Sequence, residues 1–399
     1  MRVLQVHNHY RSTAPSGEDA VVDGEAELLR RRGVEVVAYR VFNDDIDTAT
    51  LGARARLAWQ TVWSIRSKNQ LREEIRRCNP DLVHVHNTFP QISPSVFAAC
   101  TDESVPCVQT LHNFRHICAS ALLSRGGNDC ELCVGHLPVP AVRYRCYRNS
   151  LGPTLALVGM QVFNRVRGTY FRDVAQYICL TKFAALKFEQ AGFPVNKLRV
   201  KPNFLAEMPQ RIHPPSTYAL YVGRLSKEKG VGTLIRAWQD CNSVHLKVLG
   251  DGPEREQLEA IATHSRLNVE FRGYVPRAEV AKEISRAMFV IVPSECYEGF
   301  PMTVVEAFAH GVPVIASETG SLAEIVEVGV TGLTFPARDS GALARVVHRL
   351  HGDSELRDTL SKGAREKAQR CFSADANFQI LMSIYEDARK LGGQGDAVR

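Results

Sequence analysis

SECYEGFPMTVVEAFAHGVPVIAS, residues 294–317, sets two carboxylates, Glu298 and Glu306, eight positions apart across a loop-to-helix boundary. Between them stands Gly299-Phe300-Pro301, followed by an apolar run. Pro301 suits the first turn of a helix, where its missing N–H is no loss. The pattern predicts a helix over Met302 to Ala309, ended by Gly311-Val312-Pro313, with a strand near 312–316. Glu298 then lies in the loop before that helix, beside backbone N–H groups that no helical carbonyl reaches. Glu306 lies about one and a half turns in. Carboxylates accept hydrogen bonds from sugar hydroxyls, and a helix N-terminus attracts phosphate. The stretch therefore suits a ligand that is both polyhydroxylated and anionic.

The rest of the chain must build a frame for such a loop. Its 399 residues leave room for two domains with cores of their own. Hydrophobic residues make up 45% and charged residues 23%, the balance of a soluble globular enzyme. The net charge of +6 is unevenly placed. Residues 1–150 carry 18 Lys/Arg against 16 Asp/Glu, residues 151–210 carry 8 against 3, and residues 211–399 carry 23 against 24. An excess confined to one stretch is not the basic face of a nucleic-acid module. It leaves an anionic acceptor or a membrane surface as a partner for 151–210. Met1 to His7 is a short strand that turns polar at once, unlike a signal peptide. No window of about 18 apolar residues is present to span a bilayer. Eleven cysteines, an odd number, some in predicted strands (Cys107, Cys179), suit a reducing cytoplasm rather than a disulfide framework.

Strands alternate with helices, the mark of an α/β fold with parallel sheets. Strands are expected at 2–7, 34–39, 82–86, 106–111 and 176–180, with helices between them at 18–32 and 54–77. A second series is expected at 218–223, 244–249, 268–271, 288–292 and 312–316. The segment from Pro202 to Pro215, with Pro209 and Pro214 between, breaks the periodicity. This places domains at 1–206 and 207–373, then a helix over 374–391 and a disordered tail from Gly392. Two doubly wound domains would leave a cleft at the carboxyl ends of their strands, where α/β sheets bind ligands.

Other motifs fall at strand ends as well. Gly223-Arg224-Leu225-Ser226-Lys227-Glu228-Lys229-Gly230 follows the strand at 218–223. A glycine there lets the backbone approach a ligand. Arg224 and Lys229 can neutralise a diphosphate, one by a planar fork and one as a point charge. Gly250-Asp251-Gly252 reads as turn chemistry, and Gly273-Tyr274-Val275 closes the next strand. In the first half, Ser16-Gly17-Glu18-Asp19 can cap a helix, with both acids favourable in its first turn. His112 stands at the end of the strand at 106–111, while His84 and His86 read as structural or acceptor-side. Cys118, Cys130, Cys133 and Cys146 are spaced C-x11-C-x2-C-x12-C, a set that can hold zinc in a closed structural site or remain as thiols. The 54–77 segment mixes Trp59, Trp63, Ile65, Leu71 and Ile75 with seven Arg/Lys. It can lie on a membrane or pack as an ordinary domain helix.

Taken together, the paired glutamates, the flanking Gly-Phe-Pro and the strand after the helix resemble the EX7E element of retaining glycosyltransferases with two Rossmann-like domains. This is the GT-B fold, and the resemblance is strongest to family 4. It covers nearly the whole chain. It implies a donor site for a nucleotide-diphosphate-sugar in the second domain and an acceptor site in the first. Arg224 and Lys229 would grip the diphosphate, with Gly223 in the turn beside them, and Glu306 the ribose. Glu298 would meet the sugar, with Gly299, Phe300, Pro301, Met302 and Thr303 lining the donor. Gly273, Tyr274 and Val275 would lie against the base. His112 and Gly17 would complete the site, although one glycine stands where many relatives have two. The C-terminal helix would cross back onto the first domain. The resemblance further implies retention of configuration by front-face attack and no metal for catalysis, and the four-cysteine loop resembles that of a subset of family 4 enzymes linked to surface polysaccharide synthesis. It suggests a role in surface polysaccharide assembly, acting on a glycan, lipid-linked or small-molecule acceptor, in the cytoplasm or at the inner face of the membrane. A nucleotide-sugar epimerase, a glycosyltransferase for small natural products and a non-catalytic sugar-nucleotide binder are the alternatives. A Rossmann dehydrogenase is disfavoured because no G-x-G-x-x-G follows the first strand.

Overall fold

Each half of the chain builds one parallel six-stranded sheet. The computed structural model describes residues 1–12, 17–46, 49–209 and 217–393. The cap expected at Ser16, the prolines Pro214 and Pro215 and the tail beyond Gly393 lie outside these residues. In chain order the first half holds β1 (Arg2–His9), β2 (Glu35–Phe42), β3 (Leu82–Val85) and β4 (Cys107–Leu111). It continues with a short antiparallel hairpin of β5 (Ser124–Arg125) and β6 (Asn128–Asp129), then β7 (Gln176–Cys179) and β8 (Leu198–Val200). The second half holds β9 (Tyr218–Val222), β10 (His245–Leu249), β11 (Val269–Gly273), β12 (Phe289–Val292), β13 (Val314–Ser317) and β14 (Gly332–Phe335). The sheet orders are β2-β1-β3-β4-β7-β8 and β11-β10-β9-β12-β13-β14, with every pairing parallel.

The central strands Leu-Val-His-Val, Cys-Val-Gln-Thr-Leu, Phe-Val-Ile-Val and Val-Ile-Ala-Ser are buried at every position. Parallel strands covered by helices on both faces read this way. The two-domain α/β fold class expected from the sequence is the one observed. β8 and β14 were not expected. β8 is only three residues long and partly exposed, and both stand at sheet edges, so neither carries a long apolar run.

By contacts the chain divides into two compact units. One holds Met1–Leu123, Glu131–Asn203 and the C-terminal segment from Asn377, and the other holds Ser124–Cys130 and Phe204–Ala376. The β5–β6 hairpin thus belongs with the second unit, which no pattern in the sequence showed. In the first unit Leu381, Ile384, Tyr385 and Ala388 of the C-terminal helix Ala374–Gly393 pack with Val3, Leu29, Leu82, Val108 and Ile178.

The single helix expected at 54–77 is two. Leu51–Val62 ends before Ser64, whose Oγ accepts from Ser67 N and starts a second helix, Ile65–Cys78. A serine at that position ends one helix and caps the next. Leu71 and Ile75 are buried as core, Trp63 packs edge-on to Phe163 with ring centroids 5.5 Å apart, and Trp59 is 72% exposed.

A buried ion pair ties the first unit across long sequence separation. Lys201 Nζ lies 3.0 Å from Glu25 Oε2 and 3.3 Å from Asn377 Oδ1. Both charged side chains are 1% exposed. Removing one partner of such a pair leaves a charge without compensation, at a cost of about 3–5 kcal/mol. Lys201→Ala and Glu25→Ala should each lower the unfolding free energy from urea titration by that order, and the double variant by less than the sum. Additive losses would show that the two charges are not coupled.

Candidate functional site

The second sheet reverses its order between β9 and β12, which are neighbours in it. At such a switch point the loops beyond the strand ends part and leave a crevice for a ligand. The loops here are Gly223–Gly230 after β9 and Pro293–Pro301 after β12. They are held close together. Gly230 adopts φ +69°, and a Cβ there would lie 1.9 Å from the carbonyl oxygen of Pro293. The N–H of Glu295 donates to the Glu228 carbonyl at 2.9 Å. The Glu295 carboxylate, 9% exposed, accepts from Thr233 Oγ1 at 2.6 Å and meets Arg338 at 3.3 Å. Gly250 serves packing: with φ +141°, a Cβ there would fall 1.8 Å from the Gly223 carbonyl oxygen.

At the meeting of these loops Lys229 Nζ donates to both oxygens of Glu298, at 2.7 and 2.9 Å. Ser294 Oγ donates to Glu298 Oε1 at 2.5 Å, and Ser317 Oγ donates to the Ser294 carbonyl at 2.5 Å. Burial works to raise the Glu298 carboxyl, but the Lys229 charge and these hydrogen bonds hold it below the usual carboxylate range. Lys229 is the mirror case. Burial works to lower it, and Glu298 outweighs burial and raises it. Both groups stay charged near neutrality.

Arg224 is exposed beside this pair, its loop fixed by the Tyr221 hydroxyl donating to the Arg224 carbonyl at 2.9 Å. The helix Met302–Ala309 begins where expected, with Pro301 as its boundary residue and no side-chain cap. That leaves its N-terminus to whatever ligand or solvent approaches Met302 and Thr303. Phe300 packs against Phe372 at 5.9 Å, and the Gly299 carbonyl accepts from Ser321 Oγ at 3.4 Å. Glu306 meets Arg277 at 3.6 Å, and burial raises its carboxyl against the pull of that arginine. Gly273 accepts from the Gly250 N–H at 2.8 Å, Val275 leans on the core, and Tyr274 is 81% exposed.

In the first unit Gly17 opens the helix Gly17–Arg31, and His112 stands just past β4. His112 Nε2 lies 3.0 Å from His86 Nδ1. Burial, with His7 next, lowers His112 to about 3, so it is a neutral hydrogen-bonding group. A cavity of about 30 Å³ is lined by His112, His86, Glu18 and Arg115 among others. Glu18 was expected as an acid favourable in the first turn of its helix. Instead burial pushes it up to about 7 against the pull of Arg115 and a hydrogen bond from the Tyr10 hydroxyl at 3.2 Å. Arg115 stacks over Phe89 at 4.2 Å, and its Nε and Nη1 find no hydrogen-bond partner among the described residues.

The sequence reading passed over Ser294, Glu295, Arg338 and Arg115. The first two lie inside the opening stretch of the sequence analysis. Arg338 and Arg115 carry no spacing signal, since their roles arise from tertiary placement. Of the four cysteines, Cys133 and Cys146 pack against a cluster that includes Ala119, and Cys118 precedes it in the chain. Cys118 Sγ lies 3.2 Å from Ser120 Oγ. Among the described residues, the groups with donor atoms gathered within 4.8 Å are His7/His9/Asp19 and Glu25/His84/His86. Cys118, Cys130, Cys133 and Cys146 are not among these gathered groups.

Comparison with known proteins agrees with this fold. A family model described as Glycosyltransferase Family 4 matches residues 16–206, and one described as glycosyl transferases group 1 matches residues 207–367. The chain is 33% identical over 192 residues to an exopolysaccharide phosphotransferase of Streptomyces coelicolor, a match covering 44% of this chain and 20% of that protein. It is 29% identical over 230 residues to the lipopolysaccharide core biosynthesis glycosyltransferase LpsD of Rhizobium meliloti, covering 54% and 65% of the two chains. The chain thus spans less than two thirds of the length of these relatives. Among solved structures, HepE of Anabaena in complex with UDP superposes with a TM-score of 0.66 over 97% of this chain and all of that one, at 19% identity, which shows likeness of fold. The two family matches are consecutive and together run from residue 16 to residue 367, so the chain belongs to the GT-B glycosyltransferases, with a family 4 domain followed by a group 1 domain.

Proposed function

We propose that the chain is a retaining glycosyltransferase that moves a hexosyl-type sugar from a nucleotide-diphosphate-sugar to an acceptor hydroxyl in the assembly of a cell-envelope or extracellular polysaccharide. The observation that carries this reading is the Lys229–Glu298 pair at the β9/β12 switch point. It sets a cation and a carboxylate side by side where a diphosphate would meet a sugar. Arg224 and Lys229 hold the diphosphate, Glu298 accepts from sugar hydroxyls, and Glu306 accepts from the ribose. Gly223 and the backbone from Gly299 to Thr303 line the donor, and Gly273, Tyr274 and Val275 lie against the base. For His112 and Gly17 we keep the roles that the resemblance implies, contact with the sugar and the phosphate. The similar exopolysaccharide phosphotransferase and lipopolysaccharide core biosynthesis glycosyltransferase support the class of acceptor.

In the reaction the bond from the anomeric carbon to the phosphate oxygen breaks, and the acceptor oxygen bonds to the same carbon on the same face. The acceptor proton passes to the leaving phosphate. Negative charge grows on that phosphate as the bond breaks, so Arg224 and Lys229 act most strongly in the transition state. They supply the positive charge that a metal ion would otherwise bring.

Calorimetry with UDP-, GDP-, ADP- and dTDP-sugars should find one clear binder. Arg224→Ala should weaken it by about ten- to a hundredfold, the worth of a charge-assisted hydrogen bond. Lys229→Ala and Glu298→Ala should abolish most transfer while the chain stays folded; wild-type rates in both would overturn the assignment.

Acidity separates the two glutamates. Glu306 lies above the ordinary range, so it takes up its proton first as pH falls, and Glu298 holds its charge longer. Affinity for the nucleotide-sugar should therefore fall on acidification before Glu298 is touched, and Glu306→Gln should flatten that limb. An unchanged acid limb in Glu306→Gln would remove the ribose role.

For Cys118, Cys130, Cys133 and Cys146 we propose a structural zinc, whose binding would draw together thiols that the structure does not gather and would take no part in transfer. Metal analysis of purified protein should find one zinc per chain, lost in Cys130→Ser. A folded, metal-free wild type would refute the site.

A further inference from the structure

We propose that the β5–β6 hairpin is a strap that holds the two loops of the donor site in register, with Arg338 as the positioning residue through which it acts. This rests on the transfer reading above and adds to it a segment from the first half of the sequence. The hairpin pairs Ser124 with Asp129 and Arg125 with Asn128, and it turns through Gly126 and Gly127. Both glycines have positive φ, +59° and +84°, which the tightest hairpin turns require and side chains resist. Two pairs of residues do not hold a hairpin together in water. It needs a surface to lie on, and the second unit, to which it belongs, supplies one at the donor loops.

The tip of the hairpin is tied to both loops. A Cβ at Gly127 would lie 2.9 Å from Lys227 Cε and 3.3 Å from Lys227 Cδ, so the tip rests on the stem of a lysine in the Gly223–Gly230 loop. Arg338 Nη2 donates to the Gly127 carbonyl. The same nitrogen donates to the Glu295 carbonyl at 3.1 Å, and Arg338 Nε donates to Glu295 Oε2 at 3.3 Å. One guanidinium thus joins the hairpin to the Pro293–Pro301 loop. Burial, then Glu298, raises the thiol of Cys296 in that loop, and Asp129 of the hairpin adds to the rise. Lys227 stands two positions before Lys229, and Glu295 stands three before Glu298.

The backbone of Arg338 carries a second mark. Its φ is +68°, in the left-handed region that a residue with a side chain keeps only where its surroundings hold it there. Gly or Asn would turn the chain at lower cost. An arginine in that conformation sets a planar fork between the Glu295 carboxylate and the Gly127 carbonyl, which neither of those residues could do. Glu295 passes the constraint inward. Its carboxylate accepts from the buried Thr233 at 2.6 Å, and its N–H holds the Glu228 carbonyl at 2.9 Å. The strap therefore fixes, from outside, the two loops from which Lys229 and Glu298 reach the donor.

Two measurements on the full chain test this. The first needs no nucleotide. Arg125 is exposed on the hairpin, so trypsin cuts there as often as the hairpin lifts off the loops. Arg338→Ala should speed that cut about tenfold, the worth of one hydrogen bond to a charged group. The second is nucleotide release from the nucleotide-sugar that the wild type binds. Arg338→Ala should lower kcat about ten- to a hundredfold, the cost of a small misplacement of reacting groups, and leave donor affinity by calorimetry within about threefold. Gly126→Val with Gly127→Val, which leaves Arg338 and the core in place, should do the same. Adding this pair to Arg338→Ala should cost little more, because both break one device. Arg338→Lys keeps the charge without the fork and should not restore the rate. Hairpin variants with wild-type kcat would overturn the proposal, as would an unchanged rate of trypsin cutting in Arg338→Ala, or a loss of affinity as large as the loss of kcat. A wild type that binds no nucleotide-sugar would instead bring down the transfer reading together with the strap's part in it.

Discussion

The contact between Lys229 and Glu298 is the constraint around which the second unit is arranged. It needs β9 and β12 side by side, because each residue sits in the loop leaving one of those strands. It needs the loops pressed together, and a side chain at Gly230 would force them apart through the Pro293 carbonyl. It needs Ser294 to face inward, and Ser317 at the end of β13 holds the Ser294 carbonyl. Sequence positions from 223 to 317 thus converge on one ammonium and one carboxylate. Each group keeps the other charged despite burial. The arrangement is close to neutral by itself, and Arg224, in the same loop as Lys229, is exposed. Such preorganised charge is worth more in a sheltered crevice than in water.

The first unit solves a different problem with similar means. Its counterpart to the ion pair is Lys201 with Glu25, buried where no ligand reaches it. Around it His84 contacts the Tyr385 hydroxyl at 2.7 Å and Thr110 at 2.8 Å, and His86 contacts His112 at 3.0 Å. The C-terminal helix enters this network through Tyr385 and Asn377, so the last helix of the chain is bound by polar contacts as well as by apolar packing. Buried polar groups are costly unless every partner is present. That cost makes the placement of β1, β3, β4 and the C-terminal helix interdependent, and it fixes the ring of His112 from behind.

What the sequence revealed follows from how local each signal is. The helix Met302–Ala309 was legible to the residue because Pro301 and Gly311 mark its ends and the apolar run lies between. The buried central strands were legible as short Val/Ile-rich runs between turn residues. β8 and β14 were not, because an edge strand of three or four residues needs only a neighbour to pair with. The break at Ser64 was missed because the apolar spacing on both sides suits one helix, and only the cap at Ser67 N divides it. Within the site, residues inside motifs were found and residues brought in by tertiary folding were not. Arg338 reaches Glu295 across 43 positions, and no periodicity encodes such a contact.

Glu18 and the Leu151–Arg167 helix show the same limit from opposite sides. An acid in the first turn of a helix reads as solvated, since that is where the helix dipole favours it. Glu18 occupies that position and is nevertheless shut in beside Arg115 and Tyr10, with its carboxyl raised to about 7. Conversely, a helix apolar on both faces reads as buried on both. Leu151–Arg167 has that composition, yet Leu151, Leu155 and Val166 stay exposed, while the helix Leu51–Val62 covers Gly159 between them. Pattern reports which side chains prefer to leave water. It does not report which surface receives them.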